Sequence, residues 1–461
     1  MDFSLNNLKI AGKPKYKKLS EDYNFFQLFK KIEKKYKTCF LFESLGEESN
    51  ISRYHILGFE PKYIITCDKN HLIILDKKNN PTKKIKTKNP YNLLKQYIPT
   101  NIISKKYAGG LIGYLGYDCI NFFEKNINVK TSNSFEPFKF GFFLDGLVYD
   151  QVTGEIFYYF YQEDRFKLIQ KIMNDVVEVN ENLTCEFLGN SMEKKEHSNA
   201  IKNVKDMIVD GLIFQCEVGY KSFYKIEGNT TKIYEQLRKI NPSPHMYFLK
   251  FDDQKIIGAS PELLFRLRNG EMETYPLAGT TKRGVNRQED TKLARELLND
   301  PKEIAEHNML VDLHRNDIGR VAKFGTVKVR NLMDIKRYSH VQHISSEIVG
   351  IINDDQDMFS SLASNFPAGT LTGAPKIEAM KIIDKIENDG RGPYGGAVGQ
   401  FSFNGDCTFA IPIRSIFIKD NFGYAQTCGG IVYDSEPENE FIEIERKLQA
   451  MKSVLESFKK K

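Results

Sequence analysis

Two segments in the second half of the chain each carry a pair of glutamates three positions apart. One pair is Glu303 and Glu306 in DPKEIAEHNMLVDLHRND, and the other is Glu440 and Glu443 in DSEPENEFIEIERKLQAM. Both segments are predicted helices, and residues three apart share one face of a helix. Two such helices facing each other would line a site with carboxylate oxygens, the ligands that Mg²⁺ prefers. The pattern predicts a metal-assisted enzyme that acts on an anion.

Both acidic segments also begin with residues that cap helices. Asp300 precedes a proline and Glu303, so Glu303 has a capping role open to it as well as metal binding. Glu306 lies one turn deeper, where no capping role exists, and is the better candidate ligand. In the second segment Ser435 and Glu438 predict a capping box, which leaves the acidic pair that follows free for chemistry.

Three further side chains could hold the anion. Lys447 follows Glu443 by four residues and shares its helix face, where it forms either a surface ion pair or a contact with a substrate carboxylate. Arg414 lies in AIPIRSI, which reads as an apolar strand. An arginine there needs an anionic partner, either a buried acid or a substrate carboxylate. Tyr394, between glycines in RGPYGGAVG, is the candidate to share that carboxylate.

Small and imidazole side chains complete the candidate set. Gly279 and Thr280 in ETYPLAGTTKRG place a backbone amide beside a hydroxyl at a strand end, and the adjacent glycines of TCGGIVYDS would let a ligand approach bare backbone. His340 and His343 in YSHVQHI point to opposite faces if that segment is a strand. We therefore expect only one of these two histidines to face a site.

The composition excludes several classes of protein. The chain has 461 residues, a net charge of +6 and short scattered lysine runs without interleaved aromatic residues, which argues against nucleic-acid binding. It has neither an apolar signal-peptide core nor an apolar run of membrane-spanning length. The seven cysteines are scattered, without a Cys-x-x-Cys motif, as in a reduced cytosolic protein. We expect a cytoplasmic enzyme with no membrane segment.

The order of predicted elements favours an α+β fold. Apolar and aromatic runs with strand character arrive in neighbouring groups without regular strand–helix alternation, which predicts large mixed, mainly antiparallel sheets sandwiched by outer helices. FKFGFFLDGLVYD and EIFYYFYQ predict a hairpin across residues 151–154, and two long strands are predicted over residues 326–352. Helical periodicity extends over residues 23–36, 165–179, 199–210 and 290–316 and over the last segment.

The chain is predicted to have three parts. Residues 1–20 are polar and lysine-rich and are expected to form a loose N-terminal arm. Residues 21–185 and residues 195–456 would form the two larger parts, because the composition changes over residues 182–195.

Eight motifs in the second half resemble, in order, those of the chorismate-utilising enzymes, namely PLAGT, SPELLF, AEHNMLVDLHRND, YSHVQHI, FPAGTLTGAPK, RGPYGGAVG, IPIRSIF and GGIVYDSEPENEFIEIERK. The resemblance covers roughly residues 195–455. It implies that residues 195–456 form a chorismate-binding catalytic domain and that residues 21–185 form an N-terminal regulatory lobe. It is strongest to the branch formed by the large components of anthranilate synthases. Gln215 stands where isochorismate and salicylate synthases carry a lysine that activates water. Ala278 stands where aminodeoxychorismate synthases carry a lysine that attacks the ring.

The resemblance therefore implies that ammonia adds directly to chorismate at C2, after which pyruvate is eliminated and anthranilate forms, in the first committed step of tryptophan biosynthesis. An aminodeoxychorismate synthase, which leads to the para product for folate, is the nearest alternative. An isochorismate or salicylate synthase is a more distant one, and a non-catalytic tryptophan-sensing module that kept the fold is another.

The resemblance also implies roles for individual residues. Glu262 is expected to be the general acid that helps the C4 hydroxyl leave, and His343 belongs to the elimination stage, with Thr280 beside the substrate. Mg²⁺ would be bound by Glu306 and Glu443, with Glu303 and Glu440 nearby. The substrate would be held by Gly279, Thr280, Tyr394, Arg414, Cys428, Gly429, Gly430 and Lys447.

Regulation and a partner follow from the same resemblance. INPSPHMYFL and LFES are similar to the two halves of a tryptophan-feedback site, which implies inhibitor contacts from Ser44, Pro244, His245 and Met246. The chain lacks a Gly-x-Cys-x-Gly glutaminase motif. Ammonia from glutamine would therefore come from a separate amidotransferase subunit in a heterodimer.

Three positions depart from the family pattern. Cys428 replaces the first glycine of a Gly-Ala-Gly run, and His245 replaces a tyrosine in the inhibitor segment. QCEVGYKS replaces a QVVLSRR-like run, which leaves Glu217 and Gly219 without an assigned role.

Overall fold

Two large antiparallel sheets organise the chain, which we describe from a computed structural model over residues 10, 12–19, 23–46, 52–104, 106–175, 182–338 and 341–459. The α-helices in these ranges are α1 (Phe25–Lys35), α2 (Pro90–Tyr97), α3 (Ile120–Phe123), α4 (Phe166–Asn174), α5 (Lys194–Val209), α6 (Thr231–Ile240), α7 (Arg287–Leu297), α8 (Pro301–Gly319), α9 (Met358–Ser364), α10 (Lys376–Ile386) and α11 (Pro437–Glu456).

The first half of the chain contributes strands β1 (Lys15–Leu19), β2 (Thr38–Glu43), β3 (Tyr54–Phe59), β4 (Tyr63–Asp68), β5 (His71–Asp76), β6 (Pro81–Lys86), β7 (Gly110–Leu115), β8 (Phe138–Phe143), β9 (Asp145–Asp150), β10 (Glu155–Phe160), β11 (Leu183–Asn190) and β12 (Gln215–Gly228). The second half contributes β13 (His245–Phe251), β14 (Gln254–Ser260), β15 (Leu263–Arg268), β16 (Glu271–Thr274), β17 (Leu277–Lys282), β18 (Lys328–Arg337), β19 (Val341–Ile351), β20 (Gly373–Ala374), β21 (Ala397–Ser402), β22 (Cys407–Ala410), β23 (Ser415–Lys419) and β24 (Phe422–Ile431).

Each sheet has twelve strands within the described residues. Sheet I has the order β1-β10-β9-β3-β2-β13-β14-β23-β24-β12-β11, with β20 beside β12. Sheet II has the order β17-β19-β16-β15-β22-β21-β7-β8-β4-β5-β6, with β18 beside β19. The predicted α+β class with antiparallel sheets is confirmed.

Both sheets contain strands from both of the predicted parts of the chain. In sheet I, β2 pairs with β13, and in sheet II, β7 pairs with β21. Residues 21–185 and 195–456 therefore form a joint framework, and the predicted boundary at 182–195 contains strand β11, which pairs with β12. Their division into a regulatory and a catalytic part stays a prediction about function.

The apolar core has two main layers. One cluster lies between the two sheets, where for example the rings of Phe40 and Phe143 pack edge to face at 4.7 Å. A second cluster lies between sheet I and helices α1, α4, α6 and α11. Successive residues of β2 serve the two layers in turn, with Cys39 and Leu41 in the outer cluster and Phe40 in the inner one. This period of two is what a strand buried on both faces requires.

Most predicted elements are present. The helix predicted over 23–36 is α1, capped by the Asn24 side chain. The helix predicted over 165–179 is α4, and 176–179 lie outside the described residues. Helix α5 begins before the predicted residue 199, because Glu193 and Glu196 form a capping box there. The hairpin across 151–154 joins β9 and β10, while FKFGFF forms β8 in sheet II.

The start of α8 is as predicted, and the start of α11 is not. Asp300 accepts hydrogen bonds from the amides of Lys302 and Glu303. The predicted capping box of Ser435 and Glu438 is wrong. The Ser435 hydroxyl accepts a bond from the Val432 amide at 3.0 Å, and Glu438 pairs with a lysine of α5 at 2.6 Å.

Part of the predicted loose arm is ordered as an edge strand. Residues Lys15–Leu19 pair with β10, and the Tyr16 hydroxyl bonds to Ser104 at 2.6 Å. The lysines of this strand keep their charges at the surface while Tyr16 packs on Phe157, which is how a lysine-rich segment can be an edge strand. Residues 1–9, 11 and 20 of the predicted arm lie outside the described residues.

Candidate active site

Two helices and strands of both sheets bring charged side chains into one region. Helix α8 packs on β17 and β19 of sheet II, and α11 packs on β24 of sheet I. Glu303 on α8 and Glu443 on α11 lie near enough for the charge of Glu443 to raise the pKa of Glu303. The two acidic helices therefore face a common space, as their spacing predicts.

The carboxylates of this region lie close to one another and differ in burial. Glu440 is buried, and Glu303 and Glu306 are half-buried. The Glu443 side chain is 50% exposed. Burial, together with the charges of Glu217 and Glu303, raises the pKa of Glu306 to about 7. Burial also raises the pKa of Glu303 and Glu440, and the charge of Glu443 adds to both rises. Like charges held together out of water favour the protonated acid unless a cation joins them.

The acidic side chains are grouped but not closed around one point. Within the described ranges, no three carboxylate, imidazole or thiol groups are placed to hold one metal ion. Glu443 Oε1 lies 2.7 Å from Lys447 Nζ, and the same ammonium donates to the Cys428 carbonyl at 3.1 Å. Lys447 thus makes the predicted ion pair and also connects α11 to β24.

Glu262 follows β14 and is a buried carboxyl, 5% exposed. Burial raises its pKa to about 8, and the Glu217 charge contributes, although the Thr370 hydroxyl opposes the rise by donating to Glu262 Oε1 at 2.9 Å. At neutral pH Glu262 therefore holds a proton and can act as an acid.

Arg414 differs from its predicted setting. It lies immediately before β23 in the left-handed region, with φ of 49°, and is not part of an apolar strand. Its guanidinium has neither an ion pair nor a side-chain hydrogen bond within the described part of the chain, and burial lowers its pKa. Glu262 and Tyr338 lie near enough to favour its charge. A half-buried arginine without an ion pair leaves its donors available to an anion.

His343, Thr280 and Gly279 are brought together as predicted. Thr280 lies opposite His343 in the β17–β19 pair, and His343 Nδ1 lies 3.0 Å from both the Thr280 hydroxyl and the Gly279 carbonyl. The carbonyl only accepts, so the proton belongs on Nδ1, and the buried Nε2, which has no partner, is the basic nitrogen. Burial, with the charge of Arg414, lowers the pKa of His343 to about 4, so the ring is neutral.

Gly279 also connects the hydroxyl and imidazole groups to the acidic helix. It has a φ of 63°, and a Cβ at this position would lie 2.9 Å from Glu303 Oε2. A side chain here would be strained and would displace that carboxylate. His340, the other predicted histidine, lies outside the described residues.

Tyr394 and Arg414 have different neighbours. The Tyr394 hydroxyl donates to Cys428 Sγ at 3.2 Å, whereas Arg414 lies beside Glu262. Burial and the neighbouring Cys428 raise the pKa of Tyr394 well above its usual value, so its hydroxyl stays a donor. Gly429 lies against α11, where an added Cβ would be 3.5 Å from Glu440 Oε2.

Two side chains of β12 enter the site without having been predicted to do so. Glu217 is 6% exposed and its charge acts on Glu262 and Glu306. Gln215 Nε2 donates to Glu217 Oε1 at 3.2 Å. A glutamate between Cys216 and Val218 in a strand was the available signal, because a charge there must face either solvent or a site.

The predicted inhibitor residues lie on and around the β2–β13 pair. The Leu45 amide donates a hydrogen bond to the Ser243 carbonyl at 2.9 Å. Leu45 follows Ser44, and Ser243 precedes Pro244. His245 Nδ1 lies 3.1 Å from the Ser52 hydroxyl, and burial lowers the pKa of His245 to about 3. A cavity beside them is lined by residues that include Glu43, His245, Met246, Arg268 and Gln400.

No helix in the described ranges is both long and apolar enough to cross a membrane. All seven cysteines are buried free thiols.

The fold and the site together define a class of protein: an α+β enzyme whose paired antiparallel sheets and two acidic helices surround a buried acid, a free arginine and a neutral histidine. Residues 37–453 match the chorismate binding enzyme family. The chain belongs to that family.

Individual relatives agree with this assignment. The anthranilate synthase component 1 of Leptospira biflexa is 49% identical over 466 residues, covering 100% of both chains. The crystal structure of anthranilate synthase component I from Streptococcus pneumoniae is similar with a TM-score of 0.75 and 30% identity, over 87% of this chain and 92% of that one. The menaquinone-specific isochorismate synthase of Escherichia coli shares the fold, with a TM-score of 0.71 at 16% identity over 98% of this chain and 97% of that one.

Proposed function

We propose that this chain is the large component of an anthranilate synthase and converts chorismate and ammonia to anthranilate, pyruvate and water. The observation that carries the proposal is the buried, protonated Glu262 beside the unpaired Arg414. Together they offer a proton for a leaving hydroxyl and a cation for a substrate carboxylate. The similarity to anthranilate synthase components over the full chain supports the same reaction.

The first chemical stage uses Glu262. Ammonia attacks C2 of chorismate as the bond between C4 and its hydroxyl breaks, and Glu262 gives its proton to that hydroxyl so that water leaves. Arg414 and Tyr394 bind the enolpyruvyl carboxylate, while Lys447 and the Gly429–Gly430 backbone face the ring carboxylate. Cys428 contributes to this side of the site by accepting the hydrogen bond that the Tyr394 hydroxyl donates.

The second stage uses His343. Its Nε2 takes the C2 proton as the C3–O bond breaks and the ring becomes aromatic. The enolpyruvyl group leaves as the enolate of pyruvate, and the proton returns from the imidazolium, directly or through water, to the methylene carbon of that enolate. The Thr280 hydroxyl and the Gly279 carbonyl hold the ring in the tautomer with Nε2 free. A neutral imidazole is the form that can accept this proton.

The acidic helices fit a magnesium site in chemistry and charge. The carboxylates of Glu303, Glu306, Glu440 and Glu443 share the region with two lysines, Lys302 and Lys447, yet burial and mutual repulsion raise the pKa of three of them. A divalent cation supplies the missing positive charge, and carboxylate oxygens are its preferred ligands. We propose that Glu306 and Glu443 bind Mg²⁺ and that Glu303 and Glu440 support them. Bound there, the ion would neutralise the ring carboxylate of chorismate.

The partner and the regulator are part of the same proposal. A separate glutamine amidotransferase subunit, the component II of the enzyme, would supply ammonia to this chain. L-Tryptophan would bind beside Ser44, Pro244, His245 and Met246. Ser44 follows β2, Pro244 precedes β13, and His245 and Met246 begin β13; the pairing of these two strands joins the two parts of the chain.

The product isomer tests the proposal directly. The full chain is incubated with chorismate, Mg²⁺ and an ammonium salt, and the product is followed by the fluorescence of anthranilate and by chromatography against the ortho and para standards. We expect anthranilate and pyruvate in equal amounts, less of both with L-tryptophan, and none with EDTA. A para-substituted product or isochorismate would replace the proposal by one of its rivals, and no turnover of chorismate would reject it.

A further inference from the structure

Gln215 and Glu217 are two neighbours on one face of β12 and both are buried, with exposures of 2% and 6%. The bond from Gln215 Nε2 to Glu217 Oε1 fixes the orientation of the amide, because an ionised carboxylate can only accept. Gln215 Oε1 is thereby turned away, and it is buried without a hydrogen-bond partner. A buried acceptor without a donor is costly unless a ligand provides one.

Both side chains lie over the bare backbone of Gly430. A Cβ on this glycine would be 2.4 Å from Gln215 Nε2 and 2.7 Å from Glu217 Oε1. The Glu217 charge also reaches Glu262 and Glu306. Gln215 and Glu217 therefore face the same space as the proposed general acid.

We propose that Gln215 Oε1 and the Glu217 carboxylate bind the attacking ammonia, an inference that rests on the proposed function. Ammonia has three N–H donors and one lone pair. A site made only of acceptors holds the N–H bonds and leaves the lone pair free to attack. The free oxygen of Gln215 provides one acceptor and Glu217 the other.

Glu217 also receives the proton that the reaction releases. As the nitrogen lone pair forms the bond to C2, the C4–O bond breaks and the hydroxyl leaves as water with the proton of Glu262. The new C–N group carries one proton in excess, which passes to Glu217. Burial raises the pKa of Glu217, although Lys447 opposes the rise, and a raised pKa makes the carboxylate a better proton acceptor. Exchange with water restores both glutamates.

Steady-state kinetics with ammonium chloride as the nitrogen source test this site in the full chain. Glu217→Gln keeps the shape and one acceptor, and Glu217→Val restores the apolar residue of the family pattern. Gln215→Leu removes the free acceptor. We expect each to raise the KM for ammonia about tenfold, the cost of one lost hydrogen bond to a charged or buried partner, with the KM for chorismate changed less than about twofold. Tyr220→Phe is the matched control, since Tyr220 lies on the outer face of β12 and bonds to Glu445.

The outcomes separate the two proposals. If the unaltered chain makes no anthranilate, the proposed function fails. If it does, but the KM for ammonia is unchanged in Glu217→Gln and Gln215→Leu, or rises in step with the KM for chorismate, the ammonia site is overturned. Thermal unfolding of each variant identifies a loss of fold. If another variant has lost its fold, the KM for ammonia of Glu217→Gln decides whether the ammonia site stands, because this change preserves the volume of the side chain.

Discussion

The pKa of Glu262 depends on two opposing effects, burial and one hydrogen bond. Burial raises its pKa to about 8, and the bond from Thr370 lowers it. In the proposed reaction the protonated form of Glu262 is the acid, so we expect activity to be present below this pKa and to be lost as the pH rises through it. Thr370→Val removes a donor to the charged form, so the pKa of Glu262 must rise further.

We expect Thr370→Val to move the alkaline limb of the kcat/KM profile for chorismate to higher pH by about one unit. The profile is measured from pH 6 to 10, with about one reading per half unit, for the unaltered chain and the variant. Thr370→Ser keeps the donor and serves as the control. An alkaline limb that stays in place in Thr370→Val, or moves equally in Thr370→Ser, would contradict the assignment of Glu262 as the acid.

Spacing along one element predicts single residues well, and contacts between elements do not follow from it. The pairs on α8 and α11 were predictable because residues three apart share a helix face. The Thr370–Glu262 bond joins residues 108 apart in sequence, and no local pattern indicates it. Arg414 was predicted as a strand residue because its neighbours are apolar, yet its positive φ places it in a bend before β23.

At the scale of elements, α8 and α11 bring together charges that destabilise the chain unless a cation is bound. The folded state raises the pKa of Glu306 to about 7, so folding favours its protonated form. Above the pKa of the unfolded chain this carboxylate therefore costs stability, and the cost grows until the pH passes about 7. Replacing it by an amide removes that cost together with one proposed metal ligand.

At pH 8, about one unit above the pKa of Glu306, we expect Glu306→Gln to raise the Tm of the metal-free protein by about 1–3 °C. We also expect the variant to lose the further stabilisation that Mg²⁺ gives to the unaltered chain. Differential scanning calorimetry with EDTA and with MgCl₂ measures both effects. Glu378→Gln, a half-exposed helix position paired with Lys381, is the matched control. An equal Mg²⁺-dependent rise in Tm for Glu306→Gln would remove Glu306 from the metal site.

Element types were also easier to predict than their partners. Runs such as FKFGFF and EIFYYF have strand composition, and both are strands. The sequence assigned them to one hairpin, whereas β8 belongs to sheet II and β9 and β10 to sheet I. A chain that changes sheets between Phe143 and Asp145 leaves no local signal, because both neighbouring strands are buried on both faces.

At the scale of the whole molecule, the order of the strands determines how the chain unfolds. In sheet II, β7 and β8 lie between β21 and β4, and in sheet I, β2 lies between β3 and β13. Removing residues 1–185 would expose long unpaired strand edges in both sheets and open the apolar layer between them. A catalytic part without its N-terminal part therefore lacks half of its core.

We expect the full chain to unfold in one cooperative transition, and a fragment of residues 195–461 to be unfolded or aggregated. Heating is followed by far-UV circular dichroism and by tyrosine fluorescence, which is free of interference because the chain has no tryptophan. Coincident curves are expected, since the strands of both parts share hydrogen bonds in both sheets. Two separate transitions, or a soluble fragment with a cooperative melt of its own, would show that the two parts fold independently. In that case the proposed tryptophan site on and around the β2–β13 pair would join two domains, and the proposed inhibition would act across an interface instead of within a shared sheet.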